Sequence, residues 1–372
     1  MPAEMIAPFN QKFSEAFDPR SNNFDLIRIV AACLVIFSHA FPLLALTYEP
    51  IAELTNHYET GGGFAVNAFI VISGFLICRS LERATIISYA WSRFLRIVPA
   101  LAAVTLAQMF VLGPIFTTVS LPDYFSNTST WSQLKNLTIF NMQFRLETIF
   151  MDVPFAQIVN NPLWTLPIES FFYICLPLAF FVGLKGRKYF WLVPVGCLTG
   201  LYVMGLSGCS FADQCGASLW TIQHYTTLRL ACFFSLGASI WIYRHSIPHS
   251  GWIAAGLVVV LALLPTTYLF VRDEVFAVFY SYLVMYAGCL PKLHIKTYEK
   301  LGDLSYGTYI VGWPVQQSIL TIFGTGFNPY VFGLVAIPPS LVLAYFMWNY
   351  IEKPALALKH HPVLTQMMKR EA

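Results

Sequence analysis

The stretch FDLIRIVAACLVIFSHAF, residues 24–41, is almost wholly apolar, yet it carries two side chains suited to chemistry, Arg28 and His39. On an α-helix their eleven-residue spacing is three turns plus about 20°, so both point to the same side, with a rise of about 16 Å between them. That rise is roughly half the hydrocarbon thickness of a bilayer. An ionisable residue inside a span is costly, which makes it a functional candidate by default. An imidazole there suits a general base working away from bulk water. The plainer reading of His39 is a neutral histidine hydrogen-bonded to a neighbouring helix.

A carboxylate stands at similar depth. Glu169 follows Pro162 by seven residues in NPLWTLPIESFFYICLP, which puts it roughly 10 Å below the outer surface if that segment runs inward. His39, counted from Arg28 at the inner surface, is about 13 Å from the outer one in a core of ~30 Å. A carboxylate in hydrocarbon needs a partner, and His39 is the nearest candidate in depth. Such a pair would orient the imidazole and raise its basicity.

Two further segments bring polar groups to this layer. GGGFAVNAFIVISGFLICRS supplies Ser73 beside Gly74; the pair allows either a substrate or another helix to approach the backbone closely. LGDLSYGTYIVGWPVQQSIL supplies Trp313, Pro314, Gln316 and Gln317. Adjacent amides suit a hydroxyl-rich ligand, and they equally suit a kinked helix with interhelical amide bonds. At the opposite surface WSRFLRIVPAL places Arg93 and Arg96 one turn apart, after Arg79 and Arg83. Arginines at i and i+3 share a helix face and can grip phosphates. Topological anchoring of a cytoplasmic surface explains the same residues.

The elements that must hold these groups are membrane helices. Of 372 residues, 57% are hydrophobic and only 11% charged, against about 25% charged in soluble domains. Apolar runs predict ten spans, at about 26–46, 64–82, 97–118, 162–183, 189–207, 221–243, 251–271, 275–291, 304–324 and 330–351. The expected fold is all-α and polytopic, with a tight turn at VRDEV, residues 271–275. No small-residue cleavage site follows the first run, so it reads as a span rather than a signal peptide.

Placing the N-terminus inside puts eighteen of the twenty-two lysines and arginines on the inner side and three outside, with Arg229 within a span. Cytoplasmic loops retain positive charge, so both termini are expected in the cytoplasm. Residues 1–23 and 355–372 read as cytoplasmic tails, and 24–354 as one transmembrane domain. An outer loop at about 119–161 is long enough to carry local structure. Cys209 and Cys215 share the outer loop SGCSFADQCGAS, where an oxidising compartment permits a disulfide; two free thiols are the other reading. The net charge of +3 does not suggest a nucleic-acid partner, and no Cys or His cluster has metal-ligand spacing.

The ordered set FDLIRIVAACLVIFSHA, NAFIVISGFLI, SRFLRIVPAL, PLWTLPIESFFY and LGDLSYGTYIVGWPVQQ closely resembles the acyltransferase family 3 membrane proteins, from about Phe24 to Pro354. The resemblance implies an O-acyltransferase of bacterial surface glycans in the inner membrane. Its donor would be acyl-CoA, usually acetyl-CoA, read from the cytoplasm, with no permanently bound cofactor. Its acceptor would be a saccharide or glycolipid hydroxyl outside. His39 then matches the essential histidine, Arg28 its paired arginine, and Arg93 and Arg96 the Arg-x-x-Arg motif that holds the donor. Glu169 matches the acid of a Trp-Ser-Leu-x-x-Glu-like stretch. Departures are Asn67, where many members have Asp, Pro167 within the stretch before Glu169, and Gly312, where many have His before Trp-Pro.

Two other classes use similar parts. A secondary transporter of a small polar or acylated solute would use helices kinked at Pro42, Pro177, Pro194 and Pro314 and one membrane carboxylate; the missing repeat symmetry and the arginines gathered at one face weigh against it. A sensor or scaffold on the same fold would show no turnover.

Overall fold

The computed structural model describes residues 11–184, 188–208, 218–219, 222–263, 272–293 and 301–360. Helices appear where the apolar runs predict them: α1 (Phe24–Leu43), α2 (Gly61–Arg83), α3 (Ile86–Ala107), α4 (Thr165–Ala179), α5 (Leu192–Leu206), α6 (His224–Ile242), α7 (Gly251–Leu263), α8 (Arg272–Gly288), α9 (Ser305–Phe323) and α10 (Pro329–Met347). Six helical stretches among the described residues are long and apolar enough to cross a membrane: Phe24–Leu43, Gly61–Arg83, Ile86–Phe116, Asn161–Val182, His224–Ile242 and Pro329–Ala357. The other four differ for physical reasons. Helix α5 has 15 residues, short of the ~20 that span hydrocarbon, and α7 has 13 described residues, bordering residues outside the described set. Helix α8 has 17, with Asp273 and Glu274 in its first turn. Helix α9 has 19 but buries Gln316 and Gln317. The chain is thus a mostly helical, polytopic membrane protein. Its large apolar side chains that stay exposed, such as Leu334, Val342 and Phe346 on α10, face the bilayer in place of water.

The all-α expectation needs one small amendment. Gln11–Lys12 pairs antiparallel with Pro248–His249, and Ser218–Leu219 with Ile222–Gln223. Each strand is only two residues long. The cysteine pair Cys209 and Cys215, and the greater part of the 271–275 turn region's approach, residues 264–271, lie outside the described residues.

The chain divides into two compact units. The first comprises residues 1–28, 67–83 and 172–295. Within it α6 packs on α5 and α8, and α7 on α8. Its closest crossing joins α2 to α6. A Cβ added at Gly74 would lie 2.0 Å from the Phe234 carbonyl oxygen, and one at Gly237 would lie 2.1 Å from that of Val71. The two backbones touch because both positions lack a side chain. This explains Gly74 as a packing residue. Gly74→Ala should lower thermal stability by about 1–3 kcal/mol, the usual range for overpacking a tight contact. Unchanged melting of the purified variant would show that the crossing relaxes freely. The same unit seats the N-terminal segment: Asn23 Nδ2 donates to the carbonyls of Leu290 and Pro291 at 3.0 and 3.2 Å, and its Oδ1 accepts from Leu293 N at 2.8 Å.

The second unit comprises residues 29–66, 84–171 and 296–372. It holds most of α1, all of α3, α9 and α10, and the outer loop. The loop is ordered by its own polar residues. Tyr124 Oη donates to Met109 O at 2.8 Å, Gln133 Nε2 to Arg145 O at 2.6 Å, and Gln143 N to Asn136 Oδ1 at 2.5 Å. Its inner side packs Leu146, Ile149, Phe150, Val153 and Val159 against Phe41 and Trp313. Buried apolar area therefore fixes the loop over the outer ends of α1 and α9.

Candidate active site

Helix α9 organises the second unit's polar layer. At 100° per residue, Tyr306, Tyr309, Trp313, Gln316 and Gln317 fall on one face, while Val311, Val315, Ser318 and Ile322 fall on the opposite one. The first face meets α1. His39 packs against Trp313 edge to face, with ring centroids 5.2 Å apart and an interplanar angle of 81°. His39 keeps a partly accessible surface, whereas Trp313 is buried. The indole is itself fixed: Nε1 donates to Ile158 O at 3.1 Å, and its ring meets Phe155 at 5.4 Å. The imidazole is thus held by an aromatic wall that the outer loop clamps in place.

The two glutamines serve this clamp. Gln316 Nε2 donates to Ile36 O on α1 at 2.8 Å, and Gln317 Nε2 donates to Phe155 O and Ile158 O at 2.7 and 3.0 Å. Their donors are spent on the backbone, which realises the interhelical reading of these amides. Both side-chain carbonyls are buried without a hydrogen-bond partner among the described residues. Asn160 adds a third tie, donating from Nδ2 to Ile310 O at 2.8 Å. That carbonyl lies four residues before Pro314, whose missing N–H leaves it free. Gln157 reaches the required turn with φ of 65°, a left-handed conformation uncommon outside glycine. Phe155, Gln157, Ile158 and Asn160 were invisible as site residues in the sequence, because their contribution is mainly backbone carbonyls and shape.

Gly312 is explained by the same approach of helices. A Cβ there would lie 2.6 Å from Ile36 Cγ1, so α1 occupies the space that a larger side chain would need. Glu169, one turn into α4, lies within electrostatic reach of the Tyr306 and Tyr309 hydroxyls. Tyr309 Oη is held by Thr165 Oγ1 at 2.9 Å and donates to Pro162 O at 3.0 Å. Glu169 and His39 therefore address the same face of α9. Their marker residues on it, Tyr309 and Trp313, are about 6 Å apart along the axis.

The end of this unit at the start of α9 is built around Arg96. Its Nη2 meets Asp303 Oδ2 at 2.5 Å and its Nη1 meets Glu352 Oε2 at 3.4 Å. Asp303 also caps α9 by accepting from Ser305 N and Oγ. Glu352 is buried in a π-helical turn, Trp348–Glu352, that continues α10. One guanidinium thus ties α3, α9 and α10 together. Neither carboxylate stood out along the chain as its partner. Arg93 lies one turn away on α3, and the helical turns Lys353–Ala357 and Leu358–His360 pack back onto that helix.

Lys359 on this last turn is half-buried, and its amine is pushed down to about 8, first by burial and then by the charges of Arg93 and Arg96. The sign follows from linkage. Below about 8 the lysine is charged in both folded and unfolded chains, and the folded one bears the repulsion. Between about 8 and the usual 10.5 the unfolded chain binds more protons, so stability rises with pH. Without ligand, Lys359→Met should melt higher than the parent near pH 7, with the gap closing towards pH 10. A gap that stays constant over that range would contradict this.

The remaining sequence candidates belong to the first unit. Ser73 precedes Gly74 on α2, at the crossing with α6 described above. Arg28 lies one turn into α1, with Nη1 3.8 Å from Asp25 Oδ1. The helix continues without a break from Arg28 to His39, as the spacing predicts.

A cavity of about 440 Å³ lies on the other face of α9, bounded by Gln108 on α3's π-helical extension, Pro314, Ser318, Ile322, Met347 and Ile351. It is almost wholly apolar, and α9 separates it from His39.

Comparison with known proteins then gives consistent relatives. Residues 21–349 match the model of a family described as an acyltransferase domain. An O-acetyl transferase of Shigella phage Sf6 is 29% identical over 340 residues, covering 90% of this chain and 96% of the relative. Nodulation protein 10 of Rhizobium leguminosarum bv. viciae is 28% identical over 357 residues, covering 91% and 94%. No solved structure matches the chain.

Proposed function

The chain belongs to this acyltransferase domain family, and on that premise we propose that it moves an acyl group, acetyl in the simplest case, from cytoplasmic acyl-CoA to a hydroxyl of an extracytoplasmic saccharide or glycolipid. That it is a membrane acyltransferase follows from the family match and the apolar helices. The finer reading is carried by one observation: a partly accessible histidine, inside the membrane, oriented by a buried tryptophan that the outer loop locks. The O-acetyl transferase relative supports acetyl as the group.

In this reading all ten helices cross the bacterial inner membrane, with both termini in the cytoplasm. The donor enters from that side, where Arg93 binds its phosphates and Arg28 marks the inner end of the helix that carries His39. Arg96 acts behind them by fixing α3 to α9 and α10. His39 takes the proton of the acceptor hydroxyl as its oxygen attacks the thioester carbonyl carbon. The tetrahedral intermediate collapses by breaking the carbon–sulfur bond, and the departing thiolate recovers the proton from the imidazolium. Trp313 holds the imidazole in position for both steps. Glu169 supports the positive charge from the same side of α9. The side-chain carbonyls of Gln316 and Gln317, without a hydrogen-bond partner among the described residues, are groups available to an acceptor's hydroxyls.

The acceptor is tested in cells. Surface glycan from strains with and without the gene should differ in O-acetyl content, with ester protons lost on deletion and restored by the parent gene. Identical acetylation in both strains would contradict an acceptor on the cell surface.

A further inference from the structure

The cavity on the far face of α9 contains one group out of keeping with its lining. Its walls are apolar side chains of α3, α9 and α10, and its 440 Å³ run along α9 from Val311 to Ile322, about 16 Å of helix. Val111, Ile322 and Leu343 line it and are also exposed, so its mouth opens sideways to the hydrocarbon of the bilayer. Gln108 lines it too. That side chain is buried, and neither its Nε2 nor its Oε1 has a hydrogen-bond partner among the described residues. Gln108 stands twelve residues after Arg96 and nine before Thr117, about 18 and 14 Å along the helix. The head-group layers at either end do not reach so deep, and an amide left unsatisfied there is costly.

The backbone holds it in that place. Gln108 opens the π-helical turn Gln108–Leu112, and Ile351 on the facing wall belongs to a second such turn, Trp348–Glu352. Turns of this kind are rare and gather at functional sites. Water does not answer the amide, because an ordered water needs two to four polar partners and apolar cavities stay dry. Ser318, the other polar side chain on the wall, already donates to Pro314 O at 2.8 Å. What fits is a long apolar body with one group that donates and accepts at once, and a hydroxyl does both.

We propose that the cavity binds a hydrocarbon chain of a membrane lipid that carries a hydroxyl along its length, with the hydroxyl donating to Gln108 Oε1 and accepting from Nε2. The chain enters from the bilayer at Val111, Ile322 and Leu343 and lies along α9. The site is separate from the His39 face and independent of the donor and acceptor readings.

The test reconstitutes the purified full chain in vesicles of equal parts dioleoyl- and diricinoleoyl-phosphatidylcholine, whose chains differ by one mid-chain hydroxyl. After extraction in detergent, native mass spectrometry weighs the lipid that each protein retains. The parent should retain the ricinoleoyl lipid about ten-fold over the oleoyl one, the effect of two neutral hydrogen bonds. Gln108→Leu, of similar size, should retain both alike. In oleoyl lipid alone it should melt no lower than the parent, since it removes an unsatisfied polar group. Ala107→Phe fills the cavity from another position on its wall and should lose the preference with Gln108 intact, which tests the site by a second route. Equal retention of the two lipids by the parent would overturn the hydroxyl-bearing chain. A preference that survives both substitutions would overturn this cavity as its source, and retention of neither lipid would overturn the inference outright.

Discussion

His39→Ala should abolish acyl transfer while leaving the protein folded and inserted. Removing a positioned general base typically costs 10²–10⁴-fold, and here no other described histidine lies on this face of α9: Gly312, the position where the family resemblance expects one, has no room for it. Among the described residues the ring makes no hydrogen bond that would be lost with it, and it packs against the Trp313 ring. The melting temperature of His39→Ala should therefore fall only slightly. Acceptor acetylation at near-parent rates would remove His39 from the chemistry. Trp313→Phe supplies the companion result. It keeps an aromatic wall but removes one of the two donors to the Ile158 carbonyl, leaving that of Gln317, so activity should fall less than for His39→Ala and with a smaller change in acyl-CoA affinity than in rate.

The second large effect concerns stability. Arg96→Ala should unfold the end of the second unit at the start of α9, because it leaves Asp303 and the buried Glu352 without their shared guanidinium. Breaking a buried ion pair from one side costs about 3–5 kcal/mol. Arg96→Lys should rescue little, since a single ammonium does not reproduce a fork that bridges two carboxylates. Arg93→Ala should weaken donor binding, as loss of a phosphate-gripping guanidinium requires. If Arg96→Ala melted like the parent but lost CoA affinity, Arg96 would be a direct donor ligand, as its motif alone suggests.

These two arginines show what the sequence could reveal. Their spacing, and that of Arg28 and His39, was legible because each pair lies within one helix, where residue number converts directly to angle and rise. The ten apolar runs were legible for the same reason. Partners on other helices were not. Asp303 and Glu352 are 207 and 256 residues from Arg96, and each sits at a span end, where a charged residue needs no special explanation. Trp313, Gln316 and Gln317 were identifiable as intramembrane polar groups, but whether they faced a ligand or the backbone depended on the outer loop. That loop acts through the carbonyls of Phe155 and Ile158, which side-chain identity does not encode. Gly74 illustrates the converse. Its small size signalled a close approach, and only Gly237 and the Phe234 carbonyl identify what approaches.

The central claim is catalysis of acyl transfer at the His39 face of α9, and turnover of the donor tests it most directly. Purified protein in lipid vesicles would be given acetyl-CoA labelled in the acetyl group, together with glycan or glycolipid acceptor from its own host. Free CoA thiol should appear in step with label in a base-labile ester on the acceptor, for the parent but not for His39→Ala. Stoichiometric uptake or binding of the labelled solute, with the thioester intact after many equivalents have been offered, would contradict it and favour a transporter or sensor.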